Sequence, residues 1–229
     1  MNDKPITTLF MLMSVDGKIS TGNNDERDFD KDLPGVVGVG EGLKQYYELE
    51  QKTDLFSLNT GRVMAKVGWN NEKSDIKKSP VSFIIIDNKP HLTNLGVLNL
   101  LRNVQKLFIV TNNTNHPAKN INNPNLEIIS YEKDIDFNDL FIMLKKKGID
   151  DLTIQSGGEM NAALVRGGLI NYISVVVAPL IAGGRNTSTL IGGDSLTTLD
   201  DLKLLRPLEL ISADILNNSY INLRYKVLL

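Results

Sequence analysis

Several short segments combine glycine with polar residues in positions where they could bind a ligand. One of them consists of Ser156, Gly157, Gly158 and Glu159, which follow a predicted strand and open a predicted helix. Glycine allows a ligand to approach the backbone, and the first turn of a helix offers free N–H groups to a phosphate. The same turn could need glycine only for its backbone conformation, so a phosphate site and a structural turn are both open interpretations here.

A second such segment begins at Asn59, where another predicted strand gives way to a helix. Thr60 contributes a hydroxyl, Gly61 leaves the backbone accessible, and Arg62 adds a guanidinium, which together have the composition of a compact anion site. The alternative is that Thr60 only caps the helix and that Arg62 lies on the surface.

A third segment contains Asp16 and Lys18 on either side of Gly17, where the first predicted strand ends. Residues at the carboxyl end of a strand in an α/β sheet are well placed to meet a ligand. A carboxylate and an ammonium group there could orient a substrate and stabilise its charge. The alternative is an ordinary turn in which the Asp16 side chain bonds to the neighbouring backbone.

Other segments give weaker indications. The glycine-rich residues 35–42 lack the spacing of the dinucleotide-binding fingerprint and predict a flexible loop. The Asn-rich residues 112–125 predict a long surface loop. His91 and His116 each adjoin a proline, outside any triad pattern with serine and carboxylate, and we predict both at the surface. Trp69 in a predicted loop could contact a ligand or partner, or could fill part of the core.

The composition excludes several classes of site and partner. With 25 basic and 27 acidic residues, the net charge of −2 is not that of a chain that coats nucleic acid. The absence of cysteine excludes disulfides and thiolate metal sites, and two histidines make a histidine-built metal centre improbable. No apolar run approaches the roughly 18–20 residues of a membrane span, and the N-terminus lacks a signal-peptide pattern. We therefore expect a cytoplasmic protein without a membrane or nucleic-acid partner.

The elements that carry these segments alternate between strand and helix. Apolar runs predict buried strands at Ile6–Met13, Asp54–Asn59, Ser82–Asp87, Lys106–Thr111, Leu152–Gln155 and Tyr172–Pro179. Helical spacing predicts helices at Gly42–Lys52, Phe137–Lys147 and Met160–Arg166. Leu208–Ile215 and Tyr220–Val227 predict a C-terminal hairpin. The order predicts an α/β fold, a mostly parallel sheet flanked by helices with an antiparallel C-terminal hairpin, in a single domain over residues 1–229.

Four stretches of this sequence occur together in a known family. They are M-S-V-D-G-K-I, I-Q-S-G-G-E-M-N-A-A-L-V-R-G-G-L-I-N-Y-I, V-A-P-L-I-A-G-G and L-R-Y-K-V. From about residue 6 to 227 the chain resembles the reductase domain of bacterial riboflavin biosynthesis, which belongs to the dihydrofolate-reductase-like superfamily. The resemblance implies a dihydrofolate-reductase-like α/β domain that is commonly a homodimer. It also implies that NADPH reduces 5-amino-6-(5-phosphoribosylamino)uracil to the ribitylamino product.

The resemblance also implies roles for individual residues. Gly157 and Gly158 match the family's glycine pair at the cofactor pyrophosphate. Asp16 and Lys18 match the motif S-x-D-G-[KR], on the substrate side of the nicotinamide. The remaining residues that the resemblance places at the cofactor phosphates, the last two near the adenosine 2′-phosphate, are Thr60, Gly61, Arg62, Thr111 and Asn112.

Two segments depart from the family pattern on the substrate side. The family's Trp-Ile-Thr stretch is replaced by the glycine-rich residues 35–42, and its G-T-V-x-A-D-x-P segment is replaced by Asn59–Trp69. Because those family segments help to hold the substrate's ring and phosphate, a different pyrimidine or a pterin is an alternative substrate. A non-catalytic nucleotide-binding module with the same fold is the second alternative.

Overall fold

Nine strands and six α-helices alternate within residues 3–228, the part of the chain that this computed structural model describes. In chain order the strands are β1 (Ile6–Ser14), β2 (Phe56–Thr60), β3 (Ser82–Ile86), β4 (Leu107–Thr111), β5 (Leu126–Ser130), β6 (Asp151–Ile154), β7 (Tyr172–Ala178), β8 (Leu208–Ile215) and β9 (Ile221–Val227). The helices are α1 (Phe29–Asp32), α2 (Lys44–Glu50), α3 (Gly61–Lys66), α4 (Asn94–Asn103), α5 (Phe137–Lys146) and α6 (Gly158–Arg166). None of the helices in this part of the chain is long and apolar enough to cross a membrane.

The chain divides into two compact units, and the first contains Asp54–Ser156 with the N-terminal residues through Pro5. Its strands pair in the order β5-β4-β3-β2-β6, and each of these neighbours is parallel to the next. β3 and β4 are apolar apart from Ser82 at the start of β3 and Thr111 at the end of β4, as expected for strands that are covered on both faces. Their side chains pack with α4 in a core that includes Ile85, Leu100 and Leu107. Because parallel strands end at the same edge, the residues that follow β2, β3 and β4 lie together there.

The second unit contains Ile6–Thr53 and Gly157–Leu229. In it β1 pairs with β7 in parallel, β7 pairs with β9 antiparallel, and β9 pairs with β8 antiparallel. Phe10 stacks on Tyr46 with ring centroids 5.2 Å apart, which joins β1 to α2 in a separate apolar core. The β8–β9 connection turns at Asn218 and Ser219, whose φ angles of 55° and 62° are left-handed. β8 and β9 are antiparallel because this tight turn joins them, whereas two parallel strands need a longer crossover connection.

The structure confirms the predicted α/β class, the mostly parallel strand pairing and the antiparallel C-terminal hairpin. The predicted strands and helices are present with shifts of a few residues, and α6 begins at Gly158, two residues earlier than predicted. Three elements, α1, α4 and β5, were not predicted from the sequence. The single-domain organisation stays a prediction.

Two predicted loops are more ordered than expected. Residues 33–35 and 40–42 form short 3-10 turns, and Val39 between them is buried in the core of the second unit. The glycine-rich segment is therefore a loop that contains two short turns and that Val39 anchors to the core, while its flexibility stays a prediction. The prediction of a surface loop at 112–125 is wrong in part, since His116 and Ala118 within it are fully buried.

Candidate active site

Asp16 lies in the turn that follows β1, and three donors fix its carboxylate. Ser14 Oγ donates to Oδ1 at 2.5 Å, while the N–H groups of Ala182 and Gly183 donate at 3.0 and 2.7 Å. These hydrogen bonds lower the pKa of Asp16 to about 2 although the side chain is exposed, and the bond from Ser14 has the largest effect. Gly17 has a φ of 75°, which the turn requires and glycine adopts without strain. Asp16 is therefore a positioned anion at neutral pH.

Lys18 joins this turn to the loop formed by residues 182–193. Its Nζ donates to the carbonyl oxygen of Thr187 at 3.1 Å, and its backbone forms an antiparallel bridge with Thr189. The N–H of Leu190 donates to the oxygen of Gly17 at 2.9 Å. The turn and the 182–193 loop are thus one hydrogen-bonded structure.

The same loop contacts the start of α6. A side chain at Gly158 would overlap the carbonyl oxygen of Thr189, so only glycine fits at this position. Gly192 N–H donates to Gly158 O at 2.9 Å, and Gly193 N–H donates to Glu159 Oε1 at 3.1 Å. One oxygen of the Glu159 carboxylate is therefore engaged with the loop, although the residue is exposed.

Gly157 differs from its neighbour. It is the N-cap of α6 with φ −74° and ψ 160°, and no side chain caps the helix. A Cβ at Gly157 would have no heavy atom within 4 Å, so neither conformation nor packing requires glycine here. Open space in front of an uncapped helix start is what a phosphate needs. The preceding residue, Ser156, is buried.

In the first unit, the structure places Thr60, Gly61 and Arg62 at the β2–α3 junction. Thr60 Oγ1 accepts from the N–H of Val63 at 3.3 Å, so it caps α3, as the alternative interpretation predicted. Gly61 is buried and Arg62 is exposed. Of the three, Arg62 is thus the side chain that faces solvent and could meet an anion.

Thr111 and Asn112 lie at the end of β4. The Thr111 hydroxyl is fully buried, donating to Asp87 O at 2.8 Å and accepting from Asn113 N–H at 3.1 Å. Asn112 is half-buried, and its N–H donates to Asn88 Oδ1 at 3.1 Å. Thr111 can therefore shape a binding loop but does not present its hydroxyl to a ligand.

A cluster at the carboxyl end of β3, which was not predicted from the sequence, consists of buried Asp87 and His116 with the exposed His91. The Asp87 side chain is fully buried, and its Oδ2 lies 3.0 Å from His116 Nε2. His91 Nδ1 lies 3.1 Å from Oδ1. The predicted surface position is therefore wrong for His116, which is fully buried, and confirmed for His91, which is exposed. The expected lack of a carboxylate partner is wrong for both histidines.

A fully buried carboxylate needs compensation, and Asp87 receives it. Burial raises its pKa, but the hydrogen bonds from His116, from the N–H groups of His91 and Leu92 and from the His91 ring outweigh burial, so the pKa lies below its ordinary value. The one signal in the sequence was an aspartate at the end of a predicted buried strand, four residues before His91. In the part of the chain that the structure covers, no three His, Asp or Glu side chains converge as a metal site.

Comparison with known proteins places the chain in a family. The model of the RibD C-terminal domain matches residues 5–214. The riboflavin biosynthesis protein RibD of Actinobacillus pleuropneumoniae is 21% identical over 218 residues, covering 93% of this chain and 56% of that relative. The 2,5-diamino-6-ribosylamino-4(3H)-pyrimidinone 5′-phosphate reductase of Aquifex aeolicus is 24% identical over 205 residues, covering 89% of this chain and 90% of the relative.

A solved structure gives the same result for the fold. RibD of Acinetobacter baumannii superposes with a TM-score of 0.68 at 15% identity, covering all of this chain and 59% of the other. The chain thus spans little more than half of the two RibD proteins but nearly the whole of the Aquifex reductase. Since the family model matches almost the full length, the chain belongs to the RibD C-terminal domain family.

Proposed function

We propose that this chain is an NADPH-dependent reductase of the riboflavin-biosynthesis type, acting on a phosphorylated ribosylaminopyrimidine by hydride transfer. The observation that carries the proposal is the arrangement around Thr189 in the second unit. Its carbonyl oxygen packs on Gly158 at the uncapped start of α6, and its backbone pairs with Lys18 beside the fixed Asp16 anion. A phosphate-binding helix start and a charged turn therefore belong to one structure.

The residues present fit a dinucleotide phosphate. The first turn of α6 offers backbone N–H groups without a competing side-chain cap, and Gly157 leaves room in front of them. Arg62 supplies an exposed guanidinium in the first unit, where the Asn112 loop is held by Asn88. Within the second unit we assign a cofactor phosphate to Gly157 and Gly158, and within the first unit, taken by itself, we assign phosphate-contacting roles to Arg62 and Asn112. NADPH, when bound, supplies the hydride.

Asp16 acts as a fixed negative charge in this proposal. Reduction of an imine-like carbon needs a hydride on carbon and a proton on nitrogen, and positive charge develops on that nitrogen. With its pKa lowered to about 2, Asp16 stabilises such charge but does not donate the proton, which reaches the nitrogen from solvent water. Lys18, tied to Thr187 by one N–H, keeps its other donors for an anionic group of the substrate.

Two substrates share this chemistry. The Aquifex relative is named for a 2,5-diamino-pyrimidinone phosphate, whereas the bacterial RibD resemblance implies the uracil, 5-amino-6-(5-phosphoribosylamino)uracil. A reductase for another pyrimidine or a pterin is the second candidate. It is favoured by the segment Asn59–Trp69, which differs from the family pattern and places Met64 and Trp69 against the core.

The test is stopped-flow oxidation of NADPH with both ribosylaminopyrimidine phosphates and with dihydrofolate. We expect turnover with at least one of the pyrimidine phosphates, and Asp16→Asn to lower kcat by about tenfold or more while NADPH still binds. Asp194→Asn removes an exposed carboxylate of the same unit and is the matched control, for which kcat should not change. NADPH binding without oxidation of any substrate would refute the enzyme and support the non-catalytic module.

We also propose that two copies associate through β8. This strand is the outer member of the C-terminal hairpin, and it exposes Leu210, Ile211 and Ile215 at 55%, 50% and 88%. An exposed apolar edge strand of this kind is normally covered. A second copy is the simplest cover, because antiparallel pairing of one strand with itself satisfies a two-fold axis.

A further inference from the structure

The Asp87 cluster connects three segments of the first unit that are far apart in sequence. The N–H groups of His91 and Leu92 donate to the two carboxylate oxygens at 3.0 and 3.1 Å. The His116 ring reaches the same carboxylate from the loop after β4. On the β2–α3 side, a Cβ at Gly61 would overlap the Asp87 carboxylate, so this group packs directly on the backbone that precedes Arg62.

The backbone of Asp87 makes a second set of connections. Thr111 Oγ1 donates to its carbonyl oxygen at 2.8 Å, and the same hydroxyl accepts from Asn113 N–H. Asn88, the next residue, accepts from Asn112 N–H at 3.1 Å. The loop after β4 is thus held to β3 by Asp87 and its neighbour, at the end where the parallel strands stop.

The direction of the hydrogen bonds within the cluster is fixed. His116 Nδ1 accepts from the N–H of Ala118 at 3.1 Å, so the ring proton of a neutral His116 lies on Nε2 and points at Asp87. Asp87 accepts four hydrogen bonds with its two oxygens, which is the full use of a carboxylate. An amide in its place would turn an NH₂ group towards two of these donors.

We infer that Asp87, oriented by His116, is a positioning residue that holds Gly61–Arg62 and Thr111–Asn112 in the conformation that binds the cofactor phosphates. This inference rests on the proposed function, because it takes those two segments as phosphate contacts. Asp87 itself does not touch the cofactor, since its side chain is fully buried and all of its acceptor sites are occupied by the protein. Its role is exerted through the backbone that it packs against.

The experiment compares four variants of the full chain. Asp87→Asn replaces one acceptor oxygen by an NH₂ donor, and His116→Leu removes the ring N–H that donates to Asp87. His116→Gln keeps a donor near the position of Nε2 and is the conservative variant. Leu144→Ala, at a buried position in α5, is the matched control for a general loss of stability.

Binding of adenosine 2′,5′-bisphosphate and of NADPH is measured by calorimetry. Amide hydrogen exchange of Arg62, Asn112 and Asn113 is followed in parallel, under conditions where each variant is folded by circular dichroism. We expect Asp87→Asn and His116→Leu to raise Kd by about tenfold or more and to accelerate exchange of these amides. His116→Gln should have a smaller effect, and Leu144→Ala should leave Kd within about twofold.

The outcomes separate this inference from the proposed function. A wild-type chain that binds neither probe would refute the proposed function and this inference with it. Wild-type binding together with unchanged Kd and unchanged exchange in Asp87→Asn and His116→Leu would refute only the positioning role. If Asp87→Asn fails to fold, the comparison of His116→Leu with His116→Gln tests the positioning role. A positioning role predicts a larger rise in Kd and faster local exchange in His116→Leu than in His116→Gln, whereas a purely structural loss would not produce this difference.

Discussion

The two adjacent glycines at the start of α6 should respond differently to the same substitution. A methyl group at Gly158 would overlap Thr189 O and come within 3.3 Å of Gly192 N, so the helix start or the 182–193 loop must move. A methyl group at Gly157 would meet no heavy atom within 4 Å, and its φ of −74° suits alanine. Gly157→Ala therefore tests ligand approach, whereas Gly158→Ala tests packing.

The expected magnitudes follow from these contacts. Overpacking against backbone costs about 1–3 kcal/mol, which is the loss of unfolding free energy that we expect for Gly158→Ala. For Gly157→Ala, the reduced entropy of the unfolded chain gains about 0.4–1 kcal/mol, and alanine as an N-cap loses a similar amount. The two terms offset each other, so stability should change little. If a phosphate lies against Gly157, the added methyl should weaken NADPH binding by about tenfold, or about 1.4 kcal/mol.

Urea unfolding and calorimetric NADPH titration of both variants provide the assay. Gly35→Ala, where a Cβ also meets nothing within 4 Å, is the control and should change neither quantity. Wild-type NADPH affinity in Gly157→Ala would show that no phosphate approaches this turn, which removes the assigned phosphate site. Wild-type stability in Gly158→Ala would show that the contact with Thr189 does not constrain the loop.

Four further predictions concern other parts of the chain. Asp16→Asn should lower kcat to the same extent at every pH between about 5 and 8, because the pKa of Asp16 is about 2. A fall of kcat towards pH 5 that occurs in the wild type but not in the variant would contradict this. Tyr220→Phe, which removes the hydrogen bond to Val39 O, should cost about 1–2 kcal/mol in urea unfolding and leave NADPH affinity unchanged. Leu210→Lys should convert a dimer to a monomer in sedimentation, and a monomeric wild type would reject the β8 interface. The lowered pKa of Asp87 contributes stability that is present above about pH 4 and is lost as pH falls; Asp87→Asn should flatten that acid dependence of urea unfolding.

The strands were predictable because their side chains are buried on both faces. β3 and β4 are short runs of apolar residues with one polar residue each, Ser82 and Thr111, and runs of this length and composition are typical of buried strands. The C-terminal hairpin was predictable from two alternating runs joined around Asn217 and Asn218, of which Asn218 adopts the left-handed conformation. In these segments the local pattern and the tertiary environment favour the same structure.

The missed elements lack such agreement. β5 follows an Asn-rich loop and has one buried residue, Ile129, so its sequence carries a weak apolar signal and its structure depends on pairing with β4. The buried state of His116 was not predictable from its neighbours, which are polar or proline. It is set by Asp87, 29 residues earlier, and no local pattern reports a contact at that separation.

The positions of the glycine segments in the candidate site could be predicted from the sequence, but the pKa shifts and roles of its aspartates could not. Asp16 and Asp87 both have lowered pKa values, yet they differ in what they can do. Asp16 is exposed and keeps acceptor capacity on Oδ2, which accepts a hydrogen bond from the N–H of Gly183. Asp87 is buried and saturated by four donors. The direction of the pKa shift therefore does not distinguish a group that faces substrate from one that organises backbone. The distinction rests on exposure and on the remaining acceptor sites, and both are properties of the fold rather than of the sequence around each aspartate.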